Sequence, residues 1–318
     1  MNLYAIQMSD PNLLSYSTLQ DLHRCPRRFE LNKKLAHKQI AVDDEPVDFA
    51  FGHAVAAGVQ DYILRQDQNR ALLVCLINWN CSFLEDKGKK KKSVFYAAFA
   101  VQKFIHEYEM LLPGWKLMHF DGVPAIELAF LIHLPKGKKY RGDIDAVLQH
   151  EQTGKVMVLE IKTSGFNNVD EAIYGKSAQA LGYGVVLDQI VPKQSSYDVL
   201  YLVYQATSME WKLLPFHKTR AQKALWIKDL LSDLNMLNSY EKAEHFPQRG
   251  ESCFNFFRRC EHYDYCDMSN EALGLSDTEL AKERALELRR HGLPTYQFSF
   301  SLLDIITKQQ QLLQEKAR

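Results

Sequence analysis

The stretch YRGDIDAVLQH (140–150), followed after a polar turn by VMVLEIKTSG (156–165), decides how this chain is read. Both runs are rich in aliphatic and β-branched residues, and Gly154 lies between them, which predicts two strands joined as an antiparallel hairpin. Alternation sends Val158, Glu160 and Lys162 to one face of the second strand and Met157, Leu159 and Ile161 to the other. By the same rule Asp143 and Asp145 are expected to share a face of the first strand, and the turn brings Asp145 close to Glu160. Carboxylates held that close repel one another. A hard divalent cation, Mg²⁺ or Mn²⁺, offsets that cost with oxygen ligands. Such a metal holds a phosphate oxygen and activates water, and Lys162 is placed to orient that water or to stabilise negative charge on the phosphate. The plain alternative is a Glu–Lys pair on an exposed sheet face. What separates the two is Gly142-x-x-Asp145 at hairpin spacing upstream of Glu160-x-Lys162.

Working outward, residues 124–134 and 198–205 also read as strands, with a helical stretch over 170–187 before the latter. Residues 52–112 read as mostly helical, interrupted by the lysine run at 87–92, and a long helix is expected near 218–242. Two more helices, 277–291 and 301–317, are separated by Gly292 and Pro294. In SYSTLQDLHRCPRRFEL (15–31), Ser17 and Gln20 have capping-box spacing. That predicts a helix ending near Arg24 and a new turn starting at Pro26, with Cys25 at the break. The order predicts an α/β (α+β) fold, a mixed central β-sheet flanked by helices.

Among the 318 residues, 39 basic side chains balance 39 acidic ones, so any DNA affinity must come from a local patch. No apolar run reaches the roughly 18–20 residues needed to span a bilayer, and the N-terminus lacks the pattern of a signal peptide. A cytoplasmic protein with no membrane partner is therefore expected. There is no Walker A loop, hence no sign of a helicase motor. Of the six cysteines, Cys75 and Cys81 lie in an apolar stretch and are expected in the core. Cys253, Cys260 and Cys266 are clustered, which suits a structural metal that needs a fourth ligand. His262 can replace a cysteine if that metal is zinc. The lysine run at 87–92 reads as a solvated loop able to hold phosphates. Arg258 and Arg259, with Phe254, Phe256 and Phe257, either clamp single-stranded DNA or pack beside the cysteines; packing is the simpler role for the phenylalanines.

From Ser15 to Cys266 the chain resembles the PD-(D/E)XK nuclease superfamily, and more closely its RecB-like branch, which includes CRISPR-associated and phage exonucleases. The residues that carry the resemblance come in chain order: SYSTLQDLHRCPRRFEL, then FGHAVAAGVQDYI (51–63), AIELAF (125–130), the acidic hairpin, and QALGY (179–183). The resemblance implies a restriction-endonuclease-like core with a metal held by His53, Asp145, Glu160, the backbone carbonyl of Ile161 and Glu127. It implies Lys162 as the catalytic lysine, and Gln179 and Tyr183, one turn apart on a helix, as contacts to the DNA backbone. It also implies a [4Fe–4S] cluster on Cys25, Cys253, Cys260 and Cys266, with structural Zn²⁺ as the alternative; the gap between Cys253 and Cys260 is wider than in the commonest family pattern. One nuclease domain is expected over 1–269, with a helical insertion at about 54–115. A helical extension over 270–318 packs on the core or docks a recombination or single-strand-binding protein.

The expected function is a metal-dependent DNA nuclease, an exonuclease on single-stranded or end-bearing DNA in recombination, repair or phage DNA processing. The alternatives are a structure-selective endonuclease on the same fold and a non-catalytic, metal-stapled DNA-binding module.

Overall fold

The computed structural model describes residues 12–35, 46–83, 91–166, 170–191, 196–255, 258–263, 266–267 and 297–315. A mixed sheet is built from β1 (Leu13–Leu14), β2 (Trp115–Leu117), β3 (Ile126–His133), β4 (Lys139–His150), β5 (Val156–Ser164), β6 (Tyr197–Gln205), β7 (Glu210–Lys218) and β8 (Gln297–Ser301). The strand order is β8-β3-β4-β5-β6-β7, with β1 and β2 also pairing with β4. Pairs β3–β4, β4–β5 and β6–β7 are antiparallel, whereas β5–β6 and β8–β3 are parallel. The helices are α1 (Tyr16–Arg24), α2 (Pro26–Leu35), α3 (Val47–Arg65), α4 (Gln68–Ile77), α5 (Val94–Leu111), α6 (Glu171–Gly175), α7 (Ala178–Ile190), α8 (Arg220–Lys242) and α9 (Leu302–Glu315).

The sheet is covered on both faces, as its apolar strands require. On one face Val156, Val158, Val199 and Tyr201 pack with Leu22, Val186, Trp226 and Ile305 from α1, α7, α8 and α9. On the other, Met157, Leu159, Ile161 and Leu202 pack with Phe51, Val55, Ala71 and Phe104 from α3, α4 and α5. The alternation read from 156–162 therefore holds in β5.

Several boundaries differ from the sequence reading for local reasons. Helix α1 starts two residues earlier than Ser17 implied, because Ser15 is the cap and shares a reciprocal capping box with Thr18. The stretch at 170–187 is two helices, broken at Lys176–Ser177. Strand β7 is absent from the sequence reading because its pattern does not alternate: Trp211 and Leu214, three residues apart, are buried in opposite cores with exposed Leu213 between them. Cys75 is buried as expected, and burial pushes its thiol up to about 12. Cys81 is only half-buried.

The C-terminal extension is not wholly helical. Gln297–Ser301 adds a parallel edge strand to β3, with Phe298 and Phe300 packed against the core and Ser299 Oγ 2.7 Å from His133 Nε2. That two-residue period is a strand's, and it precedes α9, whose Leu302 and Ile305 are buried in the same core. The helix expected at 277–291 lies outside the described residues, as do Phe256, Phe257 and positions 87–90 of the lysine run. Lys91 and Lys92 are engaged rather than solvated: Lys91 donates to the Thr207 carbonyl, and Lys92 Nζ lies 2.8 Å from Asp48 Oδ1.

Candidate active site

The acidic hairpin forks where its acids lie. The β4–β5 ladder runs from Gln149–Val156 to Ala146–Leu159 and ends there. Beyond that point β4 stays paired with β3, and β5 stays paired with β6 as far as Ser164. The Asp145 carboxylate takes the place of the next ladder bond, its Oδ2 accepting the Ile161 N–H at 2.7 Å. One buried backbone donor is thereby satisfied as the strands part.

At the same level β3 and β4 turn over. Ile126 packs in one core while Leu128 and Phe130 pack in the other, although two residues apart they should share a face. Ile144 and Ala146 likewise fall in different cores. In β3 the switch is made at Glu127, a non-glycine residue held in left-handed geometry at φ 47°. Simple alternation therefore does not carry from Asp143 to Asp145, and the expectation that they share a face rested on a regularity this strand lacks.

Around the fork, Glu160 is 1% exposed, and neither of its carboxylate oxygens has a hydrogen-bond partner among the described residues. Lys162 Nζ lies 2.5 Å from Glu160 Oε1 as a close ion pair. Burial, then the Glu160 charge, holds the Asp145 carboxyl well above the usual carboxylate range; Lys162 opposes this and Glu127 adds to it. Burial would lower Lys162, but the Glu160 and Asp145 carboxylates more than reverse it and keep the ammonium protonated. Asp145 and Glu160 thus share one ammonium, with Glu127 a further carboxylate beside Asp145, an excess of negative charge built from hard oxygen donors.

Gln60 of α3 was not singled out by sequence. Its Nε2 donates to Glu127 Oε1 at 2.8 Å and approaches the Asp145 carbonyl at 3.4 Å. His53 lies seven residues earlier, on the same stripe of α3. Beside it Gly52 packs on β5, since a Cβ there would stand 3.3 Å from Thr163 Oγ1. The only sequence signal for Gln60 was that two-turn spacing from His53. On the opposite face Gln179 Nε2 donates to Tyr183 Oη at 2.5 Å, and Tyr183 Oη donates to the Asp143 carbonyl at 2.8 Å. Tyr183 is buried, so it braces β4, while Gln179 is half-buried.

The cysteine region ties the junction of α1 and α2 to the segment from Pro247 to Cys266. Ser252 Oγ donates to the Arg24 carbonyl at 2.6 Å, and Arg27 Nε donates to the Cys266 carbonyl at 3.0 Å. Cys260 N–H donates to the Cys253 carbonyl at 2.8 Å. Burial, then Cys260 and Cys25, raises the Cys253 thiol; burial, then Asp267, Cys253 and Cys25, raises that of Cys266. The thiols are therefore electrostatic neighbours. His262, the alternative zinc donor, is buried with Nε2 2.6 Å from Asn32 Oδ1. Among the described residues, no three His, Cys, Asp or Glu side chains close on one point as a ready metal cage. For Mg²⁺ that is no obstacle, because it is commonly held by one or two carboxylates with water and substrate phosphate.

Residues 13–267 match the model of the PD-(D/E)XK nuclease superfamily. Among solved structures, a "Putative exonuclease" from Eubacterium rectale is similar at 14% identity and TM-score 0.48, covering 80% of this chain and 91% of its own. A second structure, SSO0001, is similar at 15% identity and TM-score 0.31, covering 71% of this chain and 76% of its own. Comparison with curated protein sequences finds no match.

Proposed function

This chain belongs to the PD-(D/E)XK nuclease superfamily, and from that premise we propose that it is a Mg²⁺- or Mn²⁺-dependent deoxyribonuclease, an exonuclease acting on single-stranded or end-bearing DNA. The observation that carries the reading is Glu160: a carboxylate buried beside Asp145, with no hydrogen bond to either oxygen among the described residues and an ammonium two positions on. Burying two carboxylates beside a single ammonium is costly, and a divalent cation is what the donor set fits.

Asp145, Glu160 and the Ile161 carbonyl would hold the cation, with His53 and Glu127 as further ligands. Once bound, it supplies Lewis acidity toward the phosphate and lowers the pKa of water. The protein's own groups do the rest. Protonated Lys162 stabilises the negative charge that grows on the phosphate, and its raised pKa fits that role rather than proton abstraction. Gln60 orients Glu127 and steadies the backbone of Asp145. Gln179, set by Tyr183, meets the strand backbone. The family's substrate chemistry makes DNA the partner, in recombination, repair or phage DNA processing.

The spacing of Cys253, Cys260 and Cys266, with Cys25 implied by the family resemblance, is the ground for a second assignment, a structural [4Fe–4S] cluster on these four cysteines with Zn²⁺ as the alternative, although no three of them converge among the described residues. Its role is to join the ends of the domain.

The test uses anaerobically purified protein on linear single-stranded DNA labelled at either end, with Mg²⁺, Mn²⁺ or EDTA, beside Lys162→Ala. Metal-dependent shortening from an end, lost in the variant and absent on closed circular single strands, is the expected result. Cleavage of the circle would replace the exonuclease by an endonuclease. No cleavage of any substrate by folded, metal-loaded protein would leave a DNA-binding module.

A further inference from the structure

Past the acidic centre, the C-terminal end of β5 adjoins a rim of exposed aromatic rings. Phe49, Phe95 and Phe166 are 61%, 72% and 73% exposed, yet each stands on a held backbone. Phe49 lies in the first turn of α3. Phe95 lies in the first turn of α5, where the Ser93 cap accepts the Tyr96 N–H at 3.3 Å. Phe166 follows β5: its N–H donates to Ser164 Oγ at 3.2 Å, and its carbonyl accepts from Gln205 Nε2 at 3.5 Å. The preceding Gly165 carbonyl accepts from Thr207 Oγ1 at 2.9 Å.

Two lysines stitch these segments together. Lys92 Nζ is bound to Asp48, next to Phe49, and a Cβ at Gly165 would meet Lys92 Cε at 3.4 Å. Lys91 donates to the Thr207 carbonyl. The rim also touches the centre, because Gly52 of α3 rests on Thr163, the residue after Lys162.

Large rings left in water on a rigid backbone contribute little to the fold, so their placement points to a ligand. The ligand's chemistry follows from the neighbours. Rings at the margin of a phosphodiester-hydrolysing centre meet the need that sets a single strand apart from a duplex, free π-faces for its unpaired bases. A duplex keeps its bases stacked inside and offers the rings nothing comparable.

We propose that Phe49, Phe95 and Phe166 form a base-stacking rim that receives single-stranded DNA and leads it to the Asp145–Glu160 centre. The identity of the ligand rests on the nuclease reading given above. In EDTA, which prevents hydrolysis, the anisotropy of fluorescein-labelled oligo(dT) reads binding to the full chain directly. Each Phe→Ala substitution should weaken single-strand binding about 5- to 150-fold, the range expected for loss of one stacked base. Binding to a blunt duplex should not change, nor should the melting temperature.

Phe166→Trp should restore binding, with its fluorescence quenched by the bound strand. This keeps the test open if an alanine variant proves unstable. Single-strand binding unchanged in all three alanine variants would overturn the rim, whatever the cleavage assay shows. If the alanine variants lose binding while wild type cleaves nothing with Mg²⁺ or Mn²⁺, the rim stands and the nuclease reading falls.

Discussion

Asp145 accepts the Ile161 N–H while sharing its surroundings with Glu160 and Glu127, and its carboxyl is held well above its ordinary value of 3.8. The folded, metal-free protein therefore binds that proton more tightly than the unfolded chain does. The sign follows: this contribution to stability is full below the ordinary value and is lost as pH rises through the raised one. Melting curves in EDTA should fall with pH over that window in wild type, and Asp145→Asn should flatten the fall. Added Mg²⁺ should oppose it by displacing the proton. Equal slopes in the two proteins would remove the argument. Glu127 permits a second test, because its φ of 47° strains any L-residue. Glu127→Gly should be more stable than Glu127→Ala by about 1 kcal/mol, measured in denaturant, since both lose the carboxylate and only glycine relieves the backbone. Sequence placed both acids in strands, but neither the fork nor the strand reversal leaves a mark in composition. Both depend on where neighbouring strands stop pairing.

Helices α7 and α8 are joined by a buried pair, in which Lys223 Nζ lies 2.6 and 2.7 Å from the two Asp188 oxygens, both side chains 0% exposed. Burial pulls Lys223 down and Asp188 partly restores it. Lys223→Met should cost about 3–5 kcal/mol in urea unfolding, because it strands a buried carboxylate. Adding Asp188→Leu should recover most of the loss; a double variant no better than the single would refute the pairing account. Gly142 of β4 has a different constraint, since a Cβ there would come 2.4 Å from Phe130 Cζ. Gly142→Ala is expected to cost about 1–3 kcal/mol by overpacking, and Phe130→Leu should relieve part of it in the double variant's melting curve. Elements with strong periodicity, such as β5 and α8, were legible in the sequence. Edge strands β7 and β8 were not, because β7 buries Trp211 and Leu214 in opposite cores at a spacing of three and β8 is only five residues long.

At the scale of the whole molecule, the segment around Cys25 is bonded to the segment from Pro247 to Cys266, and β8 with α9 returns to the main sheet. Contacts that close so long a loop give most when a metal adds to them. If the proposed cluster is present, Cys25→Ser should lose iron or zinc by elemental analysis and lower the melting temperature, with Cys81→Ser as the control at a thiol outside the proposed ligand set. Retention of a full metal complement in Cys25→Ser would remove that residue from the ligand set. The described residues contain no helix long and apolar enough to cross a membrane.

Sequence alone determined the hairpin, the face that Glu160 and Lys162 share, the break at Cys25 and the family. Each is local or depends on spacing along the chain, and period-two alternation and turn residues are written in neighbouring letters. Only the tertiary structure decided that Gln60 holds Glu127, that Tyr183 braces β4, and that the chain's end supplies an edge strand. These pairings join residues far apart in sequence, where each side chain alone reads as ordinary surface or core, and burial in three dimensions selects the partner.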